Sequence, residues 1–214
     1  MSRPRAVISD FGGVLTTPLI NAFEAYRKSS GIQPEALGAA MGRIQERTGE
    51  HPLFELEKGR ITEAAFMHEL EAELGDGTSM AEFRSTYFAN LHPNEPMLAL
   101  MRDLRARGLR VAMLTNNVRE WEPQWKAMIP DVDEIFEFIV DSAFVGMRKP
   151  DPGIYMLTVD RFGDGIEPAD CVFVDDIEHN CEAAAELGMT AVHFADIEQA
   201  TAEVEKALAP QPAD

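Results

Sequence analysis

The chain has 214 residues, of which 45% are hydrophobic and 26% charged, a balance typical of a globular protein with a substantial core. Its formal net charge of −18 repels phosphate backbones and anionic membranes, which argues against nucleic acid and membrane surfaces as partners. We find no signal-peptide pattern and no apolar run near the roughly 18 residues of a membrane span, so we expect a cytoplasmic protein.

The first predicted strand is the apolar run Ala-Val-Ile at positions 6–8, which leads into Asp10 and the glycines at positions 12 and 13. Open α/β sheets place their chemistry at the carboxyl end of buried strands, beside loops of this kind. The same residues also fit an ordinary Asp-x-Gly turn. This segment alone does not decide between a functional carboxylate and a plain turn.

Residues 17–92 carry helical patterns and no strand pattern. Pro34 suits the first turn of a helix, and we predict that Thr62 and Ser79 cap two further helices. The predicted helical segments are 19–30, 34–47, a short helix and turn at 54–62, and segments that follow residues 62 and 79. We therefore predict an inserted α-helical domain, called here the helical block (residues 17–92).

Helices and strands alternate from Pro96 onward. The predicted strands are 110–115, 138–141, 171–175 and 190–194, separated by the helices 96–107, a tryptophan-containing helix, 151–162 and 178–187, with a further helix near the carboxyl end. Strands separated by helices imply right-handed crossovers. We therefore predict an α/β core of residues 1–16 and 93–214, a Rossmann-like, mostly parallel sheet with helices on both faces, and a frayed tail at 209–214.

Polar side chains stand at or just beyond the ends of several predicted strands. Asp10, Thr115 and Asp175 each follow or end a strand, and Lys149 lies in the loop after the strand that ends near residue 141. In a doubly wound sheet these strand ends meet in one crevice. Each residue also fits a simpler role, as a helix cap or a solvated lysine, but their shared position favours a single site.

These side chains are suited to phosphoryl transfer. A carboxylate such as Asp10 can attack phosphorus, and Thr115 and Asn116 can donate hydrogen bonds to phosphate oxygens. Lys149 can neutralise phosphate charge, and the acidic pair at 175–176 can hold Mg²⁺ together with a substrate phosphate. Phosphoryl transfer depends mainly on positioning and charge neutralisation, and the set supplies both.

Four segments resemble the motifs of the haloacid dehalogenase superfamily, in the same order. They are Asp10-Phe-Gly-Gly-Val14, Leu114-Thr115-Asn116-Asn117, Gly146-Met-Arg-Lys149-Pro-Asp-Pro and Val172-Phe-Val-Asp175-Asp176-Ile-Glu-His-Asn180. The chain is similar to the branch that contains the N-terminal phosphatase domain of soluble epoxide hydrolase and the bacterial glucose-1-phosphate phosphatases. The stretch Glu57-Lys-Gly-Arg-Ile-Thr62 also resembles that branch.

The resemblance implies a phosphatase whose nucleophile, Asp10, forms an aspartyl-phosphate with a small, sugar-phosphate-like phosphomonoester. It implies that Mg²⁺ is held by the Asp10 carboxylate, the backbone carbonyl of Gly12 and Asp176. Asp175 is expected to lie adjacent to the metal or to reach it through water.

The resemblance also implies how phosphate is bound. Thr115, Asn116 and Lys149 are the expected phosphate-binding residues, and Asn180 is expected to orient Lys149. The helical block is expected to act as a cap that closes over the site and excludes water.

Gly12 departs from the superfamily pattern. Most phosphatases of the superfamily carry an Asp two residues after the nucleophile as acid and base, worth roughly 10²- to 10⁴-fold in rate. A catalytically weak or inactive phosphate-binding protein is therefore the alternative. A 2-haloacid dehalogenase is less favoured because that group needs no metal, whereas Asp175 and Asp176 suit Mg²⁺. The sequence leaves the ester and the oligomeric state open.

Overall fold

The computed structural model describes residues 3–75 and 77–209, so the predicted frayed tail beyond residue 209 lies outside the described residues. No helix in these ranges is long and apolar enough to cross a bilayer. The elements are β1 (Ala6–Ser9), α1 (Leu19–Ser30), α2 (Pro34–Thr48), α3 (Pro52–Glu57), α4 (Glu63–Leu74), α5 (Phe83–Ala89), α6 (Glu95–Ala106), β2 (Arg110–Thr115), α7 (Glu122–Met128), α8 (Val132–Ile135), β3 (Phe138–Asp141), α9 (Ser142–Val145), α10 (Pro152–Phe162), β4 (Cys171–Asp175), α11 (Glu178–Glu186), β5 (Thr190–His193) and α12 (Ile197–Leu208), with 3-10 turns at Arg119–Trp121 and Pro168–Asp170.

The five strands form one parallel sheet in the order β3-β2-β1-β4-β5. β1 is central, and its Ala6 pairs with Arg110 on one side and Cys171 on the other. From β1 the chain passes to β2 on one side of the sheet and later to β4 on the other. The carboxyl ends of β1, β2 and β4 therefore flank the crevice in which sheets of this kind bind ligands. This confirms the predicted parallel α/β architecture.

The sheet is buried on both faces because its strands are continuous apolar runs. Val7 and Val111 belong to a core with α6, α12 and the helical block. Ile8 and Ala112 belong to a second core with α10 and α11 on the opposite face. Alternate residues of one strand thus enter different cores, as the two-residue period of a strand requires.

The helical block contains α1 to α5 and, within its described residues, no assigned strand. Its entry and exit run side by side, because Thr16 and Pro93 form an antiparallel bridge and the Thr17 amide donates to the His92 carbonyl. These contacts support the predicted boundaries at 16/17 and 92/93. The division into two domains remains a proposal.

The predicted cap at Ser79 is wrong, whereas that at Thr62 is confirmed. The Thr62 side chain accepts a hydrogen bond from the Ala65 amide at the start of α4. The helix expected after Ser79 begins only at Phe83. The Glu71 carboxylate accepts a hydrogen bond from the Met80 amide at 2.6 Å. This contact holds residues 79–82 as a turn beside α4 rather than as the first turn of a helix.

Candidate active site

Asp10 lies one residue beyond the central strand β1, with only 6% of its surface exposed. Its amide donates to the Val174 carbonyl at 2.8 Å, so the pairing of β1 with β4 continues past the end of β1. This contact sets the Asp10 carboxylate beside the residues that follow Val174. The local cause is the pair of apolar runs, which bury both strands and bring their ends together.

Lys149 is the most buried cation near the sheet, with 1% of its side chain exposed. Its Nζ lies 2.7 Å from Asp10 Oδ1 and 2.6 Å from Asp175 Oδ2. The lysine loop (residues 146–150) is held by Asn116, whose Oδ1 accepts from the Lys149 amide and whose Nδ2 donates to the Lys149 carbonyl. Lys149 therefore links two carboxylates from neighbouring strands in a fixed position.

Both carboxylate oxygens of Asp175 accept hydrogen bonds from groups of the protein. Oδ2 accepts from Lys149, and Oδ1 accepts from the Ile177 amide at 2.9 Å and from Asn180 Nδ2 at 3.0 Å. Asn180 is held in turn by Tyr155, whose hydroxyl donates to the Asn180 carbonyl at 3.0 Å. Asn180 thus contacts Asp175 directly and Lys149 through it. The predicted adjacent role of Asp175 toward a metal fits this geometry and remains a prediction.

Asp176 completes an acidic cluster (Asp10, Asp175 and Asp176) in which one ligand oxygen from each residue lies within 4.8 Å of the others. Gly13 makes room for it, because a Cβ at that position would lie 2.1 Å from Asp176 Oδ2 and the backbone has a φ of +78°. Only glycine suits both demands. Carboxylate oxygens this close together suit Mg²⁺, so the donors present fit the cation that the sequence implies.

The buried charges shift one another's pKa values. Burial raises the pKa of Asp10 to about 8, and Asp175 and Asp176 add to the rise while Lys149 opposes it. Burial raises the pKa of Asp176, and the negative charge of Asp175 adds to the rise. Burial alone would lower the pKa of Lys149, but Asp10 and Asp175 outweigh it and raise that pKa. Three carboxylates around one ammonium leave an excess of negative charge, which a bound divalent cation would offset.

The predicted phosphate-binding residues lie at the next strand end. Thr115 ends β2, beside β1, and is buried. Both the oxygen and the nitrogen of the Asn116 side-chain amide are hydrogen-bonded to the Lys149 backbone. The sequence does not indicate this contact. Asn116 can therefore contribute to phosphate binding only through its backbone N–H unless this contact breaks. The structure brings both residues to the carboxyl edge of the sheet, and their roles remain predictions.

A cavity of about 320 Å³ separates the helical block from this edge of the sheet. Its wall includes Phe11 and Gly12, which directly follow Asp10, and Thr115 and Asn116 from the end of β2. Side chains of the helical block form most of the rest of the wall, and residues 117, 118 and 121 complete it. We call this space the apolar cavity. It gives a ligand room beside the candidate nucleophile.

Glu57 of the helical block contacts the lysine loop and α9, and the sequence did not predict these contacts. Arg148 Nε donates to Glu57 Oε2 at 2.5 Å, and the Ser142 hydroxyl donates to the Glu57 carbonyl at 2.6 Å. Burial raises the pKa of Glu57, and the Arg148 charge opposes that rise. Glu57 and Arg148 both fall in motifs noted above, but no spacing rule predicts a pair 91 positions apart.

A parallel sheet with carboxylates and a lysine at its carboxyl edge, covered by a helical block, is an arrangement typical of α/β enzymes. The model of the haloacid dehalogenase-like hydrolase family matches residues 4–188. The chain belongs to this family.

Similar proteins include phosphatases. The chain is 30% identical to a sesquiterpene phosphatase from Aspergillus oryzae, over 90% of each protein. It is 27% identical to bifunctional epoxide hydrolase 2 from Rattus norvegicus over 97% of its own length, and it spans only 39% of that relative.

A solved structure resembles the chain at 26% sequence identity and a TM-score of 0.68. It is a haloacid dehalogenase family enzyme from Bacteroides thetaiotaomicron in a magnesium complex, and the match covers 89% of this chain and 93% of that one. The protein is therefore a hydrolase whose relatives include named phosphatases, with an acidic cluster able to hold a metal.

Proposed function

We propose that the protein is a Mg²⁺-dependent phosphatase that hydrolyses a small phosphomonoester through an aspartyl-phosphate on Asp10. One observation carries this proposal: the Asp10 carboxylate is held 2.7 Å from Lys149 in a cluster with Asp175 and Asp176, next to a cavity. Phosphatases among the relatives support it.

The proposed reaction has two steps. An Asp10 carboxylate oxygen attacks phosphorus, the bond from phosphorus to the ester oxygen breaks, and the departing oxygen takes a proton from solvent to leave as the alcohol. Water then attacks the phosphorus of the aspartyl-phosphate and gives up a proton to solvent, which releases inorganic phosphate and restores the Asp10 carboxylate. Asp10 must be ionised to attack; the adjacent Lys149 ammonium favours that form, but burial and the neighbouring carboxylates still raise its pKa to about 8.

Mg²⁺ bound by Asp10, the Gly12 carbonyl and Asp176 would neutralise phosphate charge and further favour the carboxylate form of Asp10. The protein's own groups supply the remaining interactions. We assign the binding of the equatorial phosphate oxygens to Lys149 and the Thr115 hydroxyl; Asp175, itself held by Asn180, supports this by accepting a hydrogen bond from Lys149.

Gly12 favours a second candidate function, a protein that binds a phosphate-containing ligand with little or no turnover. The position lacks a side chain that can protonate the leaving alcohol and activate water. That loss affects rate rather than binding, because the metal contact expected at Gly12 uses the backbone carbonyl.

The test is phosphate release from a panel of phosphomonoesters, with Mg²⁺ and with EDTA. The panel should contain an aryl phosphate, alkyl phosphates and sugar phosphates. We expect hydrolysis of at least one ester that stops when EDTA removes the metal. Phosphate binding without turnover of any ester would support the second candidate, and turnover that survives EDTA would contradict the role of Mg²⁺.

A further inference from the structure

The apolar cavity lies beside the expected phosphate position, since Thr115 and Asn116 belong to its wall. Its wall contains Phe11 and Gly12 on one side and Thr115 and Asn116 on the other. A phosphate placed between Asp10 and Lys149 has its ester oxygen bonded to the rest of the substrate. Asp10 and Lys149 are not in the cavity wall, but Phe11 directly follows Asp10 and Asn116 holds the Lys149 backbone, so the group beyond the ester oxygen would lie toward the cavity.

Every helix of the helical block lines the apolar cavity with hydrophobic side chains. Examples, one from each helix in order, are Phe23, Met41, Leu53, Met67 and Phe88. Phe23 is 38% exposed although it packs against Phe83 and Tyr87. These side chains would gain from contact with an apolar group, because each additional buried methylene favours binding by about fourfold.

Several polar side chains in the wall already have hydrogen-bond partners within the protein, whereas the part of the chain that the structure describes gives none to the hydroxyls of Thr115 and Tyr87. Trp121 Nε1 donates to Glu63 at 2.7 Å, and Asn117 Oδ1 accepts from the Val118 amide at 2.8 Å. The Asn116 amide and the Glu57 carboxylate are bound to the lysine loop. A sugar ring would lose water from more hydroxyls than these two groups can satisfy, and each hydroxyl left without a partner costs roughly 5- to 150-fold in affinity.

The size of the cavity limits the group that it can hold. A water molecule occupies about 30 Å³ of the liquid, so 320 Å³ corresponds to about ten non-hydrogen atoms. This falls at the small end of ligand pockets, which are mostly apolar with a few polar groups that fix orientation. Here the polar groups stand at the phosphate end.

We propose that the substrate is the phosphate ester of an apolar alcohol, an alkyl or isoprenoid chain of about ten carbons that lies in the apolar cavity. This inference rests on the proposed phosphatase function and names its substrate class. It replaces the sugar-phosphate-like ester expected from sequence, since the cavity lacks the polar surface that a sugar requires.

The test compares kcat/KM in Mg²⁺ for ethyl, butyl, hexyl and octyl phosphate with that for geranyl phosphate and glucose 1-phosphate. We expect kcat/KM to rise by about fourfold per methylene until the cavity is filled, with geranyl phosphate well above glucose 1-phosphate. Equal values along the series, or a preference for the sugar phosphate, would overturn the inference and leave the phosphatase function intact.

Binding tests the inference even if the proposed function fails. Octylphosphonate and methylphosphonate cannot be hydrolysed, and calorimetry in Mg²⁺ measures their affinities directly. If no ester is hydrolysed, the phosphatase proposal is wrong, and these two affinities still show whether the protein binds apolar phosphate ligands. We expect octylphosphonate to bind far more tightly, with a more negative heat-capacity change. Equal affinities would contradict a role for the apolar cavity.

A pair of variants tests whether the cavity itself sets the chain-length preference. Met41→Trp inserts a larger side chain into the cavity, whereas Met156→Trp makes the same change in α10, on the opposite face of the sheet. Displacing about two methylenes should lower kcat/KM for octyl phosphate, relative to butyl phosphate, by roughly tenfold in Met41→Trp. The Met156→Trp variant should keep the wild-type ratio. The wild-type ratio in both variants would contradict the proposed location.

Discussion

Lys149 Nζ lies 2.7 Å from Asp10 Oδ1, and both side chains are almost completely buried. A buried cation that is shared by two carboxylates is costly to remove, because the carboxylates are left without compensation. Lys149→Met should therefore lower the free energy of unfolding by roughly 3–5 kcal/mol, in addition to weakening phosphate binding. Urea unfolding at pH 7.5 measures the change in stability.

Lys126→Met is the matched control, because Lys126 forms an exposed pair with Glu122 at 2.7 Å. Surface pairs of this kind contribute no more than about 1 kcal/mol. A similar loss of unfolding free energy in the two variants would contradict the stabilising role of the buried Lys149 charge.

The acidic cluster should make the stability of the protein depend on Mg²⁺. A ligand at 100 times its Kd stabilises a folded protein by about 2.7 kcal/mol, which for a chain of this size is roughly 5–10 °C in Tm. Thermal melts with Mg²⁺ and EDTA should show this rise for the wild type. Asp176→Asn should reduce it strongly, whereas Asp160→Asn, on an exposed residue of α10, should not. If Mg²⁺ raises the Tm of Asp176→Asn as much as that of the wild type, Asp176 is not a metal ligand.

Gly12→Asp tests whether the missing acid and base limits turnover. The Gly12 backbone does not need the left-handed region, and a Cβ there would lie 3.1 Å from the flexible end of Leu19, so a side chain requires only a small shift. We expect kcat to rise by at least about tenfold, toward the roughly 10²- to 10⁴-fold of a fully positioned acid or base.

Gly12→Asn controls for the size of the new side chain, since it is nearly isosteric with Asp but cannot transfer a proton. Its kcat should stay at or below the wild-type value. Equal changes in kcat for the Asp and Asn variants would show that sterics, and not proton transfer, govern the effect.

Asp141 should impose a pH dependence on stability. Its Oδ1 accepts from the Ala143 amide, Oδ2 has no partner, and burial raises its pKa from 3.8 to about 6. The folded state therefore holds this proton more tightly than the unfolded state, and stability falls as pH rises toward and through 6. Relative to Asp141→Asn, the wild type should lose roughly 1–1.5 kcal/mol between pH 5 and pH 8.

Urea unfolding of both proteins at the two pH values measures this difference. Asp131→Asn is the control, because Arg102 holds the pKa of Asp131 below its usual value and no titration is expected above pH 5. A stability difference between wild type and Asp141→Asn that does not change with pH would contradict the raised pKa.

The strands and their polar ends are predictable from sequence because each is a local pattern. The runs at 6–9 and 171–175 are buried on both faces, so they lack polar alternation and stand out as apolar segments. Strand order is different, since it depends on crossovers between distant segments. General rules predict that Asp10 and Asp175 converge, but not that Lys149 lies between them.

The apolar cavity and the Asn116 contact are beyond sequence patterns for another reason. Helical periodicity predicts which side chains of a helix face inward, but whether such side chains meet or leave a space depends on helix angles and summed volumes. The side chain of Asn116 was expected to face phosphate, yet the Lys149 backbone offers it a donor and an acceptor at once. Three-dimensional contacts decide both features.

The central claim is that Asp10 is the nucleophile of a phosphatase, and the most direct measurement compares phosphate release by wild type and Asp10→Asn in Mg²⁺. Asn keeps the shape of the side chain but is a far weaker nucleophile, so we expect turnover to fall by about 10³-fold or more. Circular dichroism should show the fold retained. Wild-type turnover in Asp10→Asn would contradict the account.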